Sequence, residues 1–230
     1  MRGDGDGWVF SSDGSRHWGR HGAAGLLLRA PTGSAGSVVL LQHRAAWSHQ
    51  GGTWALPGGA RDSHESAVHA AVREAGEEAG ITDELLTVRD EHVTKVEDSG
   101  WSYTTVIADA ERELDTVPNG ESTELRWVAE HEVDSLPLHP AFAESWPSLR
   151  TVPVRAVLAA DAPDDLPART VRLAVGSFGW IVDTVRAENV DAALAAVRND
   201  TDLRVVVVTA DDAVRSAVPA DVTVLSPDGL

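Results

Sequence analysis

The chain has 230 residues, 43% of them hydrophobic, with 36 acidic against 19 basic side chains, a formal net charge of −17 and no cysteine. That composition excludes wholesale disorder and suits one large domain or two small ones, and the charge disfavours nucleic-acid polymers and anionic membranes as partners. Without thiols there are no disulfides, thiolate metal sites or cysteine nucleophiles; no apolar run or N-terminal signal core suggests a membrane, so the chain reads as soluble and cytoplasmic.

Residues 1–20, rich in Gly, Asp and Ser, are predicted to form an irregular arm whose Trp8 and Trp18 dock on the body. Residues 22–29 and 37–44 read as buried strands joined through Pro31-Thr32-Gly33 and Gly36. Residues 46–60, with four glycines and one proline, read as a loop. A helix is predicted over 64–79, where Val68, Ala71, Val72, Ala75 and Ala79 make one apolar stripe. Asp62 and Glu65 have capping-box spacing at its start, and Gly80 is placed to stop it. Strands follow at 85–96, 101–108 and 124–129, then short helical stretches at 130–135 and 140–147.

Composition changes near Arg150, and residues 160–168 (A-D-A-P-D-D-L-P-A) read as a linker or long loop. Strands at 169–176, 203–208 and 222–225, with helices at 189–198 and 210–217, suggest a small α/β unit. The expected division is therefore an arm at 1–20, a main domain at 21–150 and a small α/β domain of unassigned role at 151–230. A G-x-x-G at Gly176–Gly179 is too short a motif to imply phosphate binding.

The chemistry is concentrated in 59–81, G-A-R-D-S-H-E-S-A-V-H-A-A-V-R-E-A-G-E-E-A-G-I. Glu74, Glu77 and Glu78 stand at i, i+3 and i+4, so a helix stacks their carboxylates together. At about 100° per residue, Glu78 falls at the border of the apolar stripe and Glu77 opposite it. Three adjacent carboxylates with only Arg73 close by are best neutralised by a hard, oxygen-seeking dication, Mg²⁺ or Mn²⁺. Pro57-Gly58-Gly59 lets the backbone turn a carbonyl toward the same ion. An isolated E-x-x-E-E would more readily be read as a solvated acidic helix.

The complete spacing resembles the Nudix box: Gly59, Glu65, Arg73, Glu74, Glu77, Glu78, Gly80 and Ile81 all fit, and Ala75 is the one small residue at an aliphatic position. The resemblance extends over about 22–147. It implies an α/β (α+β) fold, an α/β/α sandwich with a mixed sheet, followed here by the small C-terminal α/β domain. It also implies Mg²⁺-dependent hydrolysis (Mn²⁺ substituting) of a small-molecule nucleotide, water attacking phosphorus in the diphosphate linkage. Glu74 and Glu78 would then be the principal metal ligands and Glu77 an assisting one, with the Gly59 carbonyl contributing and Arg73 orienting Glu74 or Glu77. Glu121, in N-G-E-S-T-E-L-R-W, would be the general base or a further metal ligand, with Glu77 the alternative base.

Arg44 stands as a candidate phosphate contact or a plain strand-end arginine. Trp54 and Trp47 are candidates to stack a base, packing being the alternative. Nucleoside triphosphates, oxidised ones such as 8-oxo-dGTP included, are favoured over ADP-ribose, because 91–99 lacks the proline that marks many ADP-ribose enzymes of the family this chain resembles; an ADP-ribose or nucleotide-sugar hydrolase is the alternative. The rival reading is a nucleotide sensor without turnover, its C-terminal part regulating or dimerising; the intact glutamate set argues against it. Association into a homodimer is left open.

Overall fold

Strand β3 (Ala23–Pro31) follows a hairpin of β1 (Trp8–Phe10) and β2 (Arg16–Trp18), and eight of its nine residues are buried. A strand hidden on both faces needs cover on both. The computed structural model describes residues 3–33, 36–174, 177–199 and 203–230, and divides into two compact units, Met1–Thr32 with Ser37–Pro147 and Gly33–Gly36 with Ser148–Leu230. No helix among the described residues is long and apolar enough to cross a membrane.

The first unit is built on a mixed sheet of β3, β4 (Ser37–Arg44), β5 (Trp54–Ala55), β6 (Gly58–Ala60), β7 (Thr87–Val96), β8 (Ser102–Asp109) and β9 (Ser122–Ala129). The order is β5-β4-β3-β8-β7, with β6 on β3 and β9 on β4. β3 runs parallel to β8 and antiparallel to β4. Helix α1 (Ala67–Ala79) lies on one face, its Ala67, Ala71, Ala75 and Ala79 packing with Leu26, Leu28, Leu40 and Val106. Alanines at the contact let helix and sheet approach closely: Ala71, Ala75 and Ala79 of the expected stripe are buried, Ala67 joins them, Val68 packs against the same core, and both Val68 and Val72 are half-buried.

Two details at the start of α1 differ from expectation. The helix begins at Ala67 with Ser66 as its cap, whose hydroxyl accepts from the His69 N–H at 3.1 Å. Glu65 does reach back to the Asp62 N–H (3.1 Å), but the Asp62 side chain accepts from the Gly5 N–H instead of closing the box. At the other end Gly80 adopts φ 72°, the left-handed conformation that stops a helix.

The arm is also more ordered than expected. Trp8 and Trp18 pair across the β1–β2 hairpin, edge to face at 5.1 Å, and stay 39% and 42% exposed. Within the expected loop 46–60, β5 and β6 join the sheet. Gly58 makes this possible, since a Cβ there would stand 2.5 Å from the Ala24 carbonyl oxygen and Gly25 Cα of the paired strand.

Helix α2 (Pro140–Leu149) precedes the second unit, whose sheet has the order β11 (Thr170–Ala174), β12 (Ser177–Arg186), β10 (Thr151–Leu158), β13 (Arg204–Val208), β14 (Thr223–Leu225). β10 pairs in parallel with β12 and β13, and β13 with β14; α3 (Val190–Asn199) and α4 (Asp212–Ala217) supply the crossovers. Sequence reading missed β10 and β12, neither of which is set off by turn residues at both ends. Residues 175 and 176, and with them Gly176 of the G-x-x-G, lie outside the described residues. The stretch 160–168 holds no helix or strand, and the Arg186 guanidinium pins its start by donating to the Ala159 and Ala162 carbonyls at 2.8 and 3.0 Å.

Candidate active site

The site grows from the junction of β6 and α1. Gly59 faces the Glu74 carboxylate so closely that a Cβ would lie 2.5 Å from it, so the glycine leaves that carboxylate room where Arg73 holds it. Arg73 fixes one wall. Its guanidinium donates to both Glu65 oxygens (2.8 and 3.0 Å), to the Ala60 carbonyl (2.9 Å) and to Glu74 Oε1 (2.8 Å), with Glu77 Oε1 at 3.7 Å. It therefore touches the carboxylates and orients Glu74. The Arg73 hydrogen bonds hold the Glu65 carboxyl below its usual range.

Glu78 is 4% exposed, while the Glu77 side chain, one residue earlier, is 62% exposed. Glu78 Oε2 accepts from the Gly58 N–H at 2.7 Å and from Gln42 Nε2 at 3.1 Å. Burial first, then repulsion from Glu74 and Glu121, pushes its carboxyl up to about 8, against the Gly58 hydrogen bond. Burial likewise raises Glu74, with Arg73 opposing and Glu77 and Glu121 adding to the rise. Glu121 is exposed at the head of β9; its N–H donates to Asn119 Oδ1 at 2.8 Å and its carbonyl accepts from the Ala45 N–H at 2.9 Å.

Sequence reading missed three contributors. Gln42, 1% exposed, donates to the Leu56 carbonyl (3.0 Å) as well as to Glu78, and its Oε1 accepts from the Ser122 hydroxyl (2.7 Å). Tyr103 lies in the same electrostatic field, its hydroxyl pushed up by burial and by Glu78 and Glu74 and pulled down by Arg44. His139 is pushed down to about 4 by burial, Arg44 and His49. The available signal was Gln42 itself, a polar residue in register with core-facing Leu40 of the run S-V-V-L-L-Q.

Arg44 donates from Nε to the His49 carbonyl at 3.1 Å, and the next residue, Ala45, donates from its N–H to the Glu121 carbonyl at 2.9 Å, which places Arg44 beside the Glu121 turn at the rim of the acidic centre. Trp54 does not suit base stacking. It is 5% exposed, because β5 pairs with β4 and turns the indole inward. Trp47 is 71% exposed.

The buried Glu78 and half-buried Glu74 carboxylates, both raised by burial, with the exposed Glu77 and Glu121, make a donor set of oxygens alone, which suits a hard divalent cation. The carboxylates stay apart. Among the described residues, the group whose ligand atoms lie within 4.8 Å of one another is Asp4, Asp62 and His64, where Asp4 is already bonded to Ser63 and Asp62 to Gly5.

A family model described as the NUDIX domain matches residues 19–151. The chain belongs to the Nudix family. A Mycobacterium tuberculosis protein named "Putative 8-oxo-dGTP diphosphatase 3" is 60% identical over 185 residues, covering 78% of this chain and 85% of that one. A crystal structure of a Nudix hydrolase from M. smegmatis, RenU, shares 65% identity with a TM-score of 0.62, over 64% of this chain and 93% of its own. A Bifidobacterium longum protein named "Nucleoside triphosphate pyrophosphatase/Nudix hydrolase fusion protein" is 44% identical over 150 residues, 62% of this chain but 30% of the fusion. This Nudix hydrolase thus has the mixed-sheet sandwich of its family, and enzymes of the family work with divalent metal ions on nucleotides.

Proposed function

We propose that this Nudix hydrolase is a Mg²⁺-dependent pyrophosphohydrolase of nucleoside triphosphates, oxidised purine triphosphates such as 8-oxo-dGTP among them. The observation that carries the reading is the Glu78 carboxylate, buried and pushed up to about 8 beside Glu74 and the Gly59 corner. A carboxylate is stable at that depth at neutral pH only when a positive charge joins it. The name and 60% identity of the M. tuberculosis relative support the substrate class.

Glu74, Glu78 and the Gly59 carbonyl would hold the ion, with Glu77 and Glu121 within reach of further positions. Bound there, a dication supplies charge to neutralise the diphosphate oxygens and acidify the attacking water. Arg73 keeps Glu74 aimed at the corner while leaving substrate untouched. Glu121, exposed and on a turn, is the residue free to take the proton from water, and Glu77 is the alternative. Arg44 at the rim offsets phosphate charge in a chain of net charge −17.

Glu78→Gln tests the reading. Hydrolysis of nucleoside triphosphates with Mg²⁺ should fall by about three orders of magnitude or more while the melting curve of the ion-free protein holds, since the neutral amide replaces a carboxyl that burial already keeps protonated and its oxygen can still accept from Gly58 and Gln42. Activity within tenfold of wild type at saturating Mg²⁺ would remove Glu78 from the metal site.

A further inference from the structure

The family model begins at residue 19, so both strands of the N-terminal hairpin lie ahead of it. The hairpin is nonetheless fastened to the catalytic unit at both ends. Asp4 accepts from the Ser63 N–H (2.8 Å) and Asp62 from the Gly5 N–H (2.8 Å), both at the entrance to the box. At the far end the Trp101 indole N–H donates to the Trp18 carbonyl (3.1 Å), and the Ser12 N–H donates to Asp98 (3.3 Å).

So firm an attachment ordinarily serves to bury apolar rings, yet Trp8 and Trp18 keep 39% and 42% of their surface exposed. Trp8 continues into an arc of rings, with His49 at 6.0 Å and His139 6.2 Å beyond it. The Arg44 guanidinium donates to the His49 carbonyl at 3.1 Å, and the next residue, Ala45, donates from its N–H to the Glu121 carbonyl at 2.9 Å, which brings this arc to the Glu121 turn. Arg16 lies over Trp8 at 4.7 Å. Exposed, rigidly held aromatic rings beside cations, next to a site for diphosphate, match the chemistry of a nucleobase attached to phosphates.

We propose that Trp8, with Trp18 and His49 around it, forms the nucleobase subsite of this enzyme, its two tryptophans lying ahead of the segment that matches the family. The proposal rests on the nucleotide reading above and takes over the stacking role that buried Trp54 cannot fill. Because the rings are held from outside the box, base preference and phosphate chemistry are supplied by separate parts of the chain.

Equilibrium binding tests it without turnover. A non-hydrolysable nucleoside triphosphate analogue and inorganic tripolyphosphate are titrated with Mg²⁺ into the full chain, Trp8→Ala, Trp18→Ala and Trp8→Phe. Loss of one stacking ring should weaken the nucleotide analogue by about tenfold in Trp8→Ala, while tripolyphosphate binds as to wild type and Trp8→Phe recovers most of the affinity. Unchanged nucleotide affinity in both alanine variants, or equal weakening of nucleotide and tripolyphosphate, overturns the subsite. Because binding is read directly, a wild type that binds nucleotide but hydrolyses none would sink the hydrolase reading alone.

Discussion

Gln42 Nε2 donates to Glu78 Oε2 at 3.1 Å, and the other end of the same amide accepts from Ser122 Oγ at 2.7 Å. With both ends committed, the amide has one orientation. It joins the buried carboxylate of α1 to the residue that follows Glu121. Gln42 therefore positions Glu78 relative to the strand carrying the proposed base.

Replacing Gln42 by Leu keeps the volume but strips the donor from Glu78 and leaves the Ser122 hydroxyl without its acceptor. Stability should fall by roughly 1–3 kcal/mol, the cost of unpaired buried polar groups. The more diagnostic result is a loss of Mg²⁺ affinity that Ser122→Ala shares in weaker form and that is less than additive in the double variant. Calorimetric metal titrations of the four proteins check this, and strict additivity would separate the two residues.

Metal binding should release protons. Glu78 is raised to about 8 from a usual 4.5, so in the ion-free protein its burial favours the protonated form, and its stabilising contribution, full below about 4.5, is lost as pH rises through 8. A cation binds the deprotonated form and so competes with that proton. Apparent Mg²⁺ or Mn²⁺ affinity should rise severalfold to tenfold from pH 6.5 to 7.5 and level off above about 8. Titrations in two buffers of different ionisation enthalpy would count the protons, and a pH-independent affinity contradicts the assignment.

His139 gives an acid limit of opposite sign. Its Nδ1 accepts from the Ala141 N–H at 3.2 Å, which needs the neutral ring, and burial pushes its pKa down to about 4 from 6.5. A depressed folded value means stability present above 6.5 and lost as pH falls toward 4. The loss should be roughly 2 kcal/mol after allowance for partial exposure. Thermal melts of wild type and His139→Asn between pH 7 and 4 would show it: the asparagine keeps an acceptor for the helix start and should flatten the slope.

Ending the chain at Arg150 should leave a folded protein that hydrolyses nucleotide. The core around α1 draws its residues from 24–127, the two cores of the second unit draw theirs from 154–230, and the M. smegmatis structure spans 93% of its own chain on 64% of this one. Activity per folded molecule within about threefold of the full chain is expected. A folded remainder without activity would mean that the second unit contributes to the site.

Much of the first unit was legible because its elements carry local signals. Strands 23–31 and 37–44 are apolar runs bounded by turn residues, and α1 ends at a glycine. The hairpin of Trp8 and Trp18 was not legible, since three-residue strands in a Gly-, Asp- and Ser-rich stretch are specified by what they attach to. β10 and β12 are each buried on both faces along only part of their length and open along the rest, so neither carries the uniform alternation by which a strand is recognised.

From the sequence alone came the chemical inventory: three glutamates at helical spacing, an arginine beside them and a glycine-rich approach, because covalent spacing along a helix dictates which side chains share a face. Tertiary structure alone decided how deep each carboxylate lies and what surrounds it. Gln42 meets Glu78 across 36 residues and Ser122 across 80, and the exposed rings of the hairpin gather beside a loop some forty positions later. Such meetings depend on which strands pair, and pairing is settled by burial summed over a whole sheet, a quantity no local stretch of sequence contains.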